Sequence, residues 1–216
     1  MGVSVDTIIS SVAVTLLDTA HTSWPRSELV GYLNEAQRTV CFLKADAYTK
    51  LEPVDLVAGT NQTIPEDGVA IFDITQNVDT KQRITLVDYE LLDETNRFWA
   101  DPIYAQTDAQ HWASDPRSPL RFSVAPPNDG NGQVLVSYGA TTPVLTDSSG
   151  EEIGLLPTYQ YALECYVLAK AYAKNSKRQD LNKTNGYMNE FRGSLGIKSQ
   201  SQVAVSPKVA VSEGQQ

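Results

Sequence analysis

The sequence predicts an α+β protein, and three patterns along its 216 residues predict that class. Apolar residues recur at helical spacing in residues 1–48 and again in residues 151–196, whereas residues 49–150 show alternation and turn residues typical of strands. Residues 197–216 cannot fold on their own. We expect the two helix pairs to pack as one bundle, with a mainly antiparallel β region inserted between them and an extended C-terminal arm.

The N-terminal pair begins with a helix over about residues 4–18, where apolar residues recur every three or four positions. Pro25 fits the first turn of a second helix, because its missing N–H has no helical partner there. The second helix has the strongest periodic signal in the chain. Its stripe consists of Leu29, Leu33, Ala36, Val40, Leu43 and Ala47. This stripe favours packing against another helix.

The insertion begins with strand-like sequence. Residues 51–57 and 63–65 predict two short strands around a turn at 58–61, where Gly and Asn are typical turn residues. Residues 69–75 and 83–87 are further strand candidates.

The rest of the insertion is less regular. Spacing predicts a short helix over residues 88–96, and residues 98–119 are polar without a clear period. Residues 120–124 and 134–138 alternate on either side of the Pro- and Gly-rich stretch 126–132. This arrangement predicts a β-hairpin.

The C-terminal pair begins at Pro157, which is suited to open a helix running to about Lys174. The predicted stripe of this helix is Tyr161, Cys165, Leu168 and Tyr172. The last helix begins near Asp180 and ends at Gly196, which supplies a C-terminal cap. Its stripe is Thr184, Met188, Phe191 and Leu195.

Composition fits a globular protein that needs no metal or disulfide to fold, with 41% hydrophobic and 20% charged residues. No apolar run approaches the roughly 18 residues that span a bilayer, and no secretory signal pattern opens the chain. We therefore expect no membrane partner. Cys41 and Cys165 match no metal or redox spacing and are predicted to be buried thiols.

Charge is distributed unevenly along the chain. Residues 1–169 contain 9 Lys and Arg against 23 Asp and Glu, whereas residues 170–216 contain 8 against 3. A basic end on an acidic body suggests contact with an acidic partner, with another copy of the chain or with nucleic acid. The alternative for Lys170, Lys174, Lys177 and Arg178 is that they complement the dipole at a helix end.

The arm repeats the tetrad Val-Ala-Val-Ser at 203–206 and 209–212. In an extended chain its valines share one edge, and Pro207 excludes a helix interior. We predict that the arm docks on a partner surface as an added strand or in a groove. The candidate docking residues are Val203, Val205, Val209, Val211, Lys198 and Lys208. A terminal segment without a role is the alternative.

No catalytic, cofactor-binding or metal-binding residue is assigned, and the chain is predicted not to be an enzyme. It has no phosphate-binding loop, no dinucleotide fingerprint, no nucleophile elbow and no zinc motif. His21 and His111 are expected to be surface or packing residues, and Asp129-Gly130-Asn131 is expected to form a turn rather than a calcium loop. An enzyme would need carboxylates that converge in the folded chain, and the sequence leaves that possibility open.

Five segments resemble the head-to-tail adaptor, or connector, proteins of tailed bacteriophages, and the order of elements resembles that family too. The segments are ELVGYLNEAQR at 28–38, LVAGTNQTIP at 56–65, FSVAPP at 122–127, LPTY at 156–159 and AKAYA at 169–173. The resemblance covers most of residues 1–196.

The resemblance implies a structural virion protein. Such adaptors form a dodecameric homo-oligomeric ring in the neck, assembled in the host cytoplasm, that joins the portal protein to a tail or nozzle protein. The ring extends the DNA channel, and an acidic lumen would let DNA pass without sequence-specific binding. In such a ring the arm would reach a neighbouring copy, the portal or a tail protein.

Three other functions stay open at this stage. One is a different ring-forming virion component, such as a tail-completion protein. Another is a carboxylate-based hydrolase associated with the tail, which would need acidic residues converging in a cleft. The third is a module that binds DNA through the basic end.

Overall fold

The computed structural model describes residues 2–148 and 150–196, and these residues form an α+β protein with two compact units. One unit, which we call the helical unit, contains residues 2–36 and 145–196. The other, which we call the β unit, contains residues 37–144. The predicted α+β class is confirmed.

Five α-helices are present in the described residues. They are α1 (Val5–Thr15), α2 (Arg26–Leu43), α3 (Tyr89–Thr95), α4 (Gln160–Ala173) and α5 (Leu181–Ser194). Ser4 caps α1, because its Oγ accepts a hydrogen bond from the Thr7 N–H at 3.1 Å. The stripe predicted for the second helix runs too far, since α2 ends at Leu43 and Ala47 lies in a separate 3₁₀ turn. Across the described residues, no helix is both long and apolar enough to cross a bilayer.

The helix α4 lies at the centre of the helical unit. It packs against α1 and α5, and Tyr172 stacks on Tyr187 of α5 with ring centroids 5.9 Å apart. Nine of its residues are buried, so no single stripe describes it. Tyr161, which the sequence placed on the apolar stripe, is instead 56% exposed. A helix covered on several sides loses the amphipathic signal that sequence patterns depend on.

The final helix agrees with its prediction. Asp180 caps α5 by accepting hydrogen bonds from the N–H groups of Asn182 and Lys183. Phe191 and Leu195 of the predicted stripe are buried. Gly196 adopts the left-handed conformation, with φ of 70°, that a C-terminal cap requires.

The β unit contains two sheets. Their strands are β1 (Thr49–Asp55), β2 (Gly59–Thr63), β3 (Gly68–Asn77), β4 (Thr85–Leu86), β5 (His111–Ala113), β6 (Arg121–Asn128) and β7 (Gln133–Ala140). One sheet has the order β1-β7-β3 and the other has the order β2-β6-β5-β4. Every pair is antiparallel except β4 with β5. Trp112, Phe122 and Tyr138 are the largest side chains of the core of this unit.

The predicted hairpin is wrong. The strands β6 and β7 do exist, but they belong to different sheets, so the turn between them carries the chain from one sheet to the other. The Asn128 Oδ1 organises this turn by accepting hydrogen bonds from the Gly130 N–H at 2.8 Å and the Gly132 N–H at 3.2 Å. Gly130 has φ of 93°, which favours glycine. Alternation in two neighbouring segments predicts the strands but not which strands pair.

Candidate interaction surfaces

The predicted docking residues are not placed by the structure. Val203, Val205, Val209, Val211, Lys198 and Lys208 all lie outside the described residues. Docking of the arm therefore stays a prediction.

The few candidates for chemistry do not converge. His21 lies in the connection between α1 and α2, while His111 lies on β5. Cys41 and Cys165 are buried free thiols, as predicted, and burial raises the pKa of both. Within residues 2–148 and 150–196, no group of three or more His, Cys, Asp and Glu side chains is arranged to hold a metal ion.

Ion pairs connect α2 with α4 and the residue that follows it. Lys170 of α4 contacts Glu35 of α2, and Lys174, which directly follows α4, contacts Glu28 of α2, each at 2.6 Å. Tyr166 donates a hydrogen bond from its hydroxyl to Glu35 as well, at 2.9 Å. Lys170 and Lys174 are two of the four cations for which the sequence predicted either a helix-dipole role or contact with a partner, and both are paired inside the unit.

These contacts perturb the carboxylate of Glu28. Burial raises the pKa of Glu28, but hydrogen bonds from Lys174 and from the Tyr32 hydroxyl outweigh burial, and the net pKa is lowered. Burial, together with the hydrogen bond that the Tyr32 hydroxyl donates to Glu28, raises the pKa of Tyr32 to about 12. Glu28 therefore stays ionised and paired at neutral pH.

Asp18 fixes the connection between α1 and α2. Its carboxylate accepts hydrogen bonds from the N–H groups of Thr22, Ser23 and Trp24, at 3.0, 2.8 and 2.9 Å. The bond from Trp24 is the largest cause that lowers the pKa of Asp18, against the opposing effect of burial. The turn directs the indole of Trp24 inward, where its Nε1–H donates to the Ala171 carbonyl at 3.0 Å.

A basic surface forms beside this buried tryptophan. The Arg178 guanidinium lies 5.4 Å from the centre of the Trp24 ring and donates to the Leu16 carbonyl at 3.3 Å. Lys183 lies 4.7 Å from the centre of the Tyr172 ring. Both cations border a cavity of about 420 Å³ together with Lys177 and Leu17.

Two exposed leucines accompany these cations. Leu17 is 86% exposed and adopts φ of 53°, while Leu181 is 61% exposed at the start of α5. A left-handed conformation is unfavourable for leucine, so the fold holds the exposed Leu17 at a cost in backbone energy. We define the basic surface as Leu17, Lys177, Arg178, Leu181 and Lys183.

The β unit carries a contrasting surface on residues 86–104. Six large apolar side chains are exposed there, namely Leu86, Tyr89, Leu91, Phe98, Ile103 and Tyr104. Five carboxylates accompany them, namely Asp88, Glu90, Asp93, Glu94 and Asp101, against Arg97 as the one cation of this stretch. We define the acidic surface as these apolar and acidic residues. No carboxylate of the acidic surface forms an ion pair with any described residue.

Local hydrogen bonds give the acidic surface its shape. Leu92 is the buried residue of the seven-residue helix α3, so the remaining side chains of α3 are available to solvent. The Trp99 Nε1–H donates to the Asp93 carboxylate at 2.8 Å, and Asp101 caps the short turn Pro102–Tyr104. These contacts order an irregular stretch with little core of its own.

A cleft of about 290 Å³ borders the acidic surface. Trp99, Tyr104 and Pro126 form apolar walls, and His111 contributes polar lining. The buried His111 Nδ1 has no hydrogen-bond partner among the described residues. The sequence did not indicate this region, because the exposure of side chains on residues 86–104 and the convergence of Trp99, Tyr104 and His111 arise only in the folded chain, although the density of carboxylates and aromatic residues was visible.

A family model described as SU10 adaptor protein matches residues 3–211, which is nearly the whole chain. A search of curated proteins found no match.

Proposed function

We propose that copies of this chain form the neck ring that joins the portal to the tail. The premise is that the chain belongs to the SU10 adaptor protein family and is a structural adaptor of a bacteriophage. The observation that carries the proposal is the extent of the match, because residues 3–211 include both units rather than one shared motif. The ring would sit in the virion neck and extend the DNA channel. No catalytic step is part of this role.

The charge of the β unit supports a role next to DNA. Residues 37–144 contain 8 Lys and Arg against 15 Asp and Glu. A lumen wall of this sign would repel phosphate and let the genome slide past without sticking. The cations of the helical unit include several that are paired internally, which further limits attraction for DNA.

The predicted bundle belongs to the same proposal. Contacts of α4 with α1 and α5, and the ion pairs between α4 and α2, support packing of the N-terminal and C-terminal helices together. The division at residues 48 and 150 and the arm at 197–216 stay predictions. In the ring, the arm would dock through its valine edge on the portal, a neighbouring copy or a tail protein.

Co-sedimentation with portal rings from the same phage tests the proposal. We expect the purified chain to be monomeric or weakly associated alone and to sediment with the rings when they are added. A variant lacking residues 199–216 should keep its thermal transition and bind less. A matched variant in which Val205 and Val209 are replaced by Asp should show the same loss, because docking would then bury unpaired charge.

The outcomes separate the ring role from the role of the arm. If the full-length chain does not sediment with portal rings, the proposed function is wrong. If it does, and the two arm variants bind as well as the natural chain, the arm is not the docking element.

A further inference from the structure

We infer that the basic surface of one copy binds the acidic surface of a neighbouring copy. This inference rests on the proposed function, in which copies lie side by side in a ring, and it identifies the two faces that meet. Both faces are built entirely from described residues, so the inference does not depend on the arm.

The acidic surface has the composition of a contact that is incomplete in the single chain. Phe98 is 65% exposed and Ile103 is 79% exposed, within a stretch of under 20 residues that exposes four other large apolar side chains. Exposed apolar side chains scattered singly need no explanation, but a concentration ringed by polar groups marks an interaction site. The unpaired carboxylates determine the charge of the partner.

Two of these carboxylates are well placed to meet cations together. Glu90 and Glu94 lie four residues apart on α3, so they project from the same side of the helix. Neither accepts a side-chain hydrogen bond from another described residue. Their charge can therefore be neutralised by a partner without breaking a contact inside the β unit.

The basic surface supplies the complementary groups. Lys177 and Lys183 are exposed cations that line one cavity with the exposed Leu17, so apolar and positive groups lie together there as apolar and negative groups do on α3. Arg178 is held over Trp24 before any partner arrives, which reduces the entropy lost on binding.

The pairing must also be heterologous. Each surface repels a second copy of itself, while opposite charge attracts the other surface, so the contact joins two different patches. Contacts of this kind run head to tail and generate rings where the rotation closes. Charge complementarity thus favours a second copy of this chain, rather than a basic segment of an unrelated protein, as the occupant.

Exchanging the charges tests this pairing directly. The first variant carries Lys177→Glu and Lys183→Glu, and the second carries Glu90→Lys and Glu94→Lys. In the first variant both surfaces are net negative, and in the second the charges of residues 86–104 sum to zero, so each variant alone should associate with itself at least about tenfold more weakly than the natural chain. An equimolar mixture should regain association, because the natural acidic surface of the first variant then meets the natural basic surface of the second, and the substituted glutamates of the first variant can meet the substituted lysines of the second.

Matched controls separate local pairing from net charge. Arg38→Glu with Lys81→Glu makes the same change in net charge as the first variant, and Glu66→Lys with Asp79→Lys matches the second. All four control positions are exposed and lie outside the two surfaces. The controls should associate like the natural chain. Thermal melting of every variant should match the natural chain, since the substituted side chains are exposed.

The measurement is sedimentation velocity at low ionic strength over rising protein concentration, where charge contacts are least screened. It is repeated on protein bound to portal rings, with carbodiimide cross-linking of isotope-labelled and unlabelled copies to identify contacts between chains. We expect cross-links from Lys177 or Lys183 of one copy to Glu90 or Glu94 of another.

The inference is overturned if the natural chain associates while the mixture of reversed variants stays dissociated, or if the two surfaces never cross-link free or on portal rings. Portal binding without this pairing would contradict the inference alone. Pairing without portal binding would leave the inference standing and contradict the proposed neck function.

Discussion

The helical unit and the acidic surface of the β unit use charge in opposite ways. In the helical unit, Lys170 and Lys174 each meet a carboxylate of α2 at 2.6 Å, and Arg26 meets Asp6 and Asp147 at 2.6 and 2.7 Å. On the acidic surface, by contrast, none of the five carboxylates forms an ion pair within the described residues. Two aromatic side chains differ in the same sense, because Trp24 is buried whereas Phe98 is largely exposed.

The difference shows which residues serve the fold and which are available to a partner. Paired, half-buried charges and a buried indole contribute to the stability of one chain. Exposed carboxylates in water contribute little to that stability, as do exposed apolar side chains, so their concentration on one segment requires another explanation. Substitutions in the two regions should therefore separate effects on folding from effects on assembly.

The largest expected effect comes from two aromatic residues in the contrasting settings. Trp24→Ala should lower the free energy of unfolding by about 3–5 kcal/mol, because it leaves a cavity and removes the hydrogen bond to Ala171. Phe98→Ala should change it by no more than about 0.5 kcal/mol, because the ring is largely exposed. Urea denaturation of both variants measures the difference. Equal losses would show that the acidic surface is part of a core.

Acid should weaken the helical unit through Asp18. The pKa of Asp18 is lower in the folded chain than its ordinary value of 3.8, so its contribution is present above that value and is lost as pH falls through the folded pKa. Asp18→Asn should lower the melting temperature at neutral pH and flatten its decline in acid. Thermal melts from neutral pH to about pH 3 measure this. The assignment would be contradicted if the melting temperatures of the natural chain and the variant fell in parallel as the pH decreases.

A smaller effect is expected from single charges. Lys174→Met should lower the free energy of unfolding by up to about 1 kcal/mol, because it leaves the half-buried Glu28 without its cation. Glu94→Gln should leave stability unchanged and weaken association between copies. Denaturation and sedimentation of the two variants measure both effects. A stability loss in Glu94→Gln that equals the loss in Lys174→Met would remove the distinction between the regions.

The sequence predicts much of the helical fold because helical signals are local. The cap at Asp180, the stripe ending in Leu195 and the left-handed Gly196 all follow from residues within one helix. Where burial comes from several neighbours, the local signal fails, as it does for Tyr161 on α4. The β unit is harder still, because strand pairing depends on distant residues. The alternation around Phe122 and Val136 predicts two strands but does not reveal that they enter separate sheets.

The candidate surfaces were less predictable than the fold. Lys177 and Arg178 were recognisable as a basic cluster, but their neighbour Leu17 lies about 160 positions earlier in the sequence and joins them only through the packing of Trp24. Most of the acidic surface lies on residues 86–96, where the sequence predicts a short helix but does not reveal which of its side chains stay exposed. Exposure of Phe98 and Ile103 is a property of the folded β unit and leaves no periodic trace in sequence.

Electron cryomicroscopy of phage particles that contain this chain tests the neck assignment most directly. The account predicts a ring of copies between the portal and the tail, with the basic surface of each copy against the acidic surface of the next. Density for the chain elsewhere in the particle would contradict it.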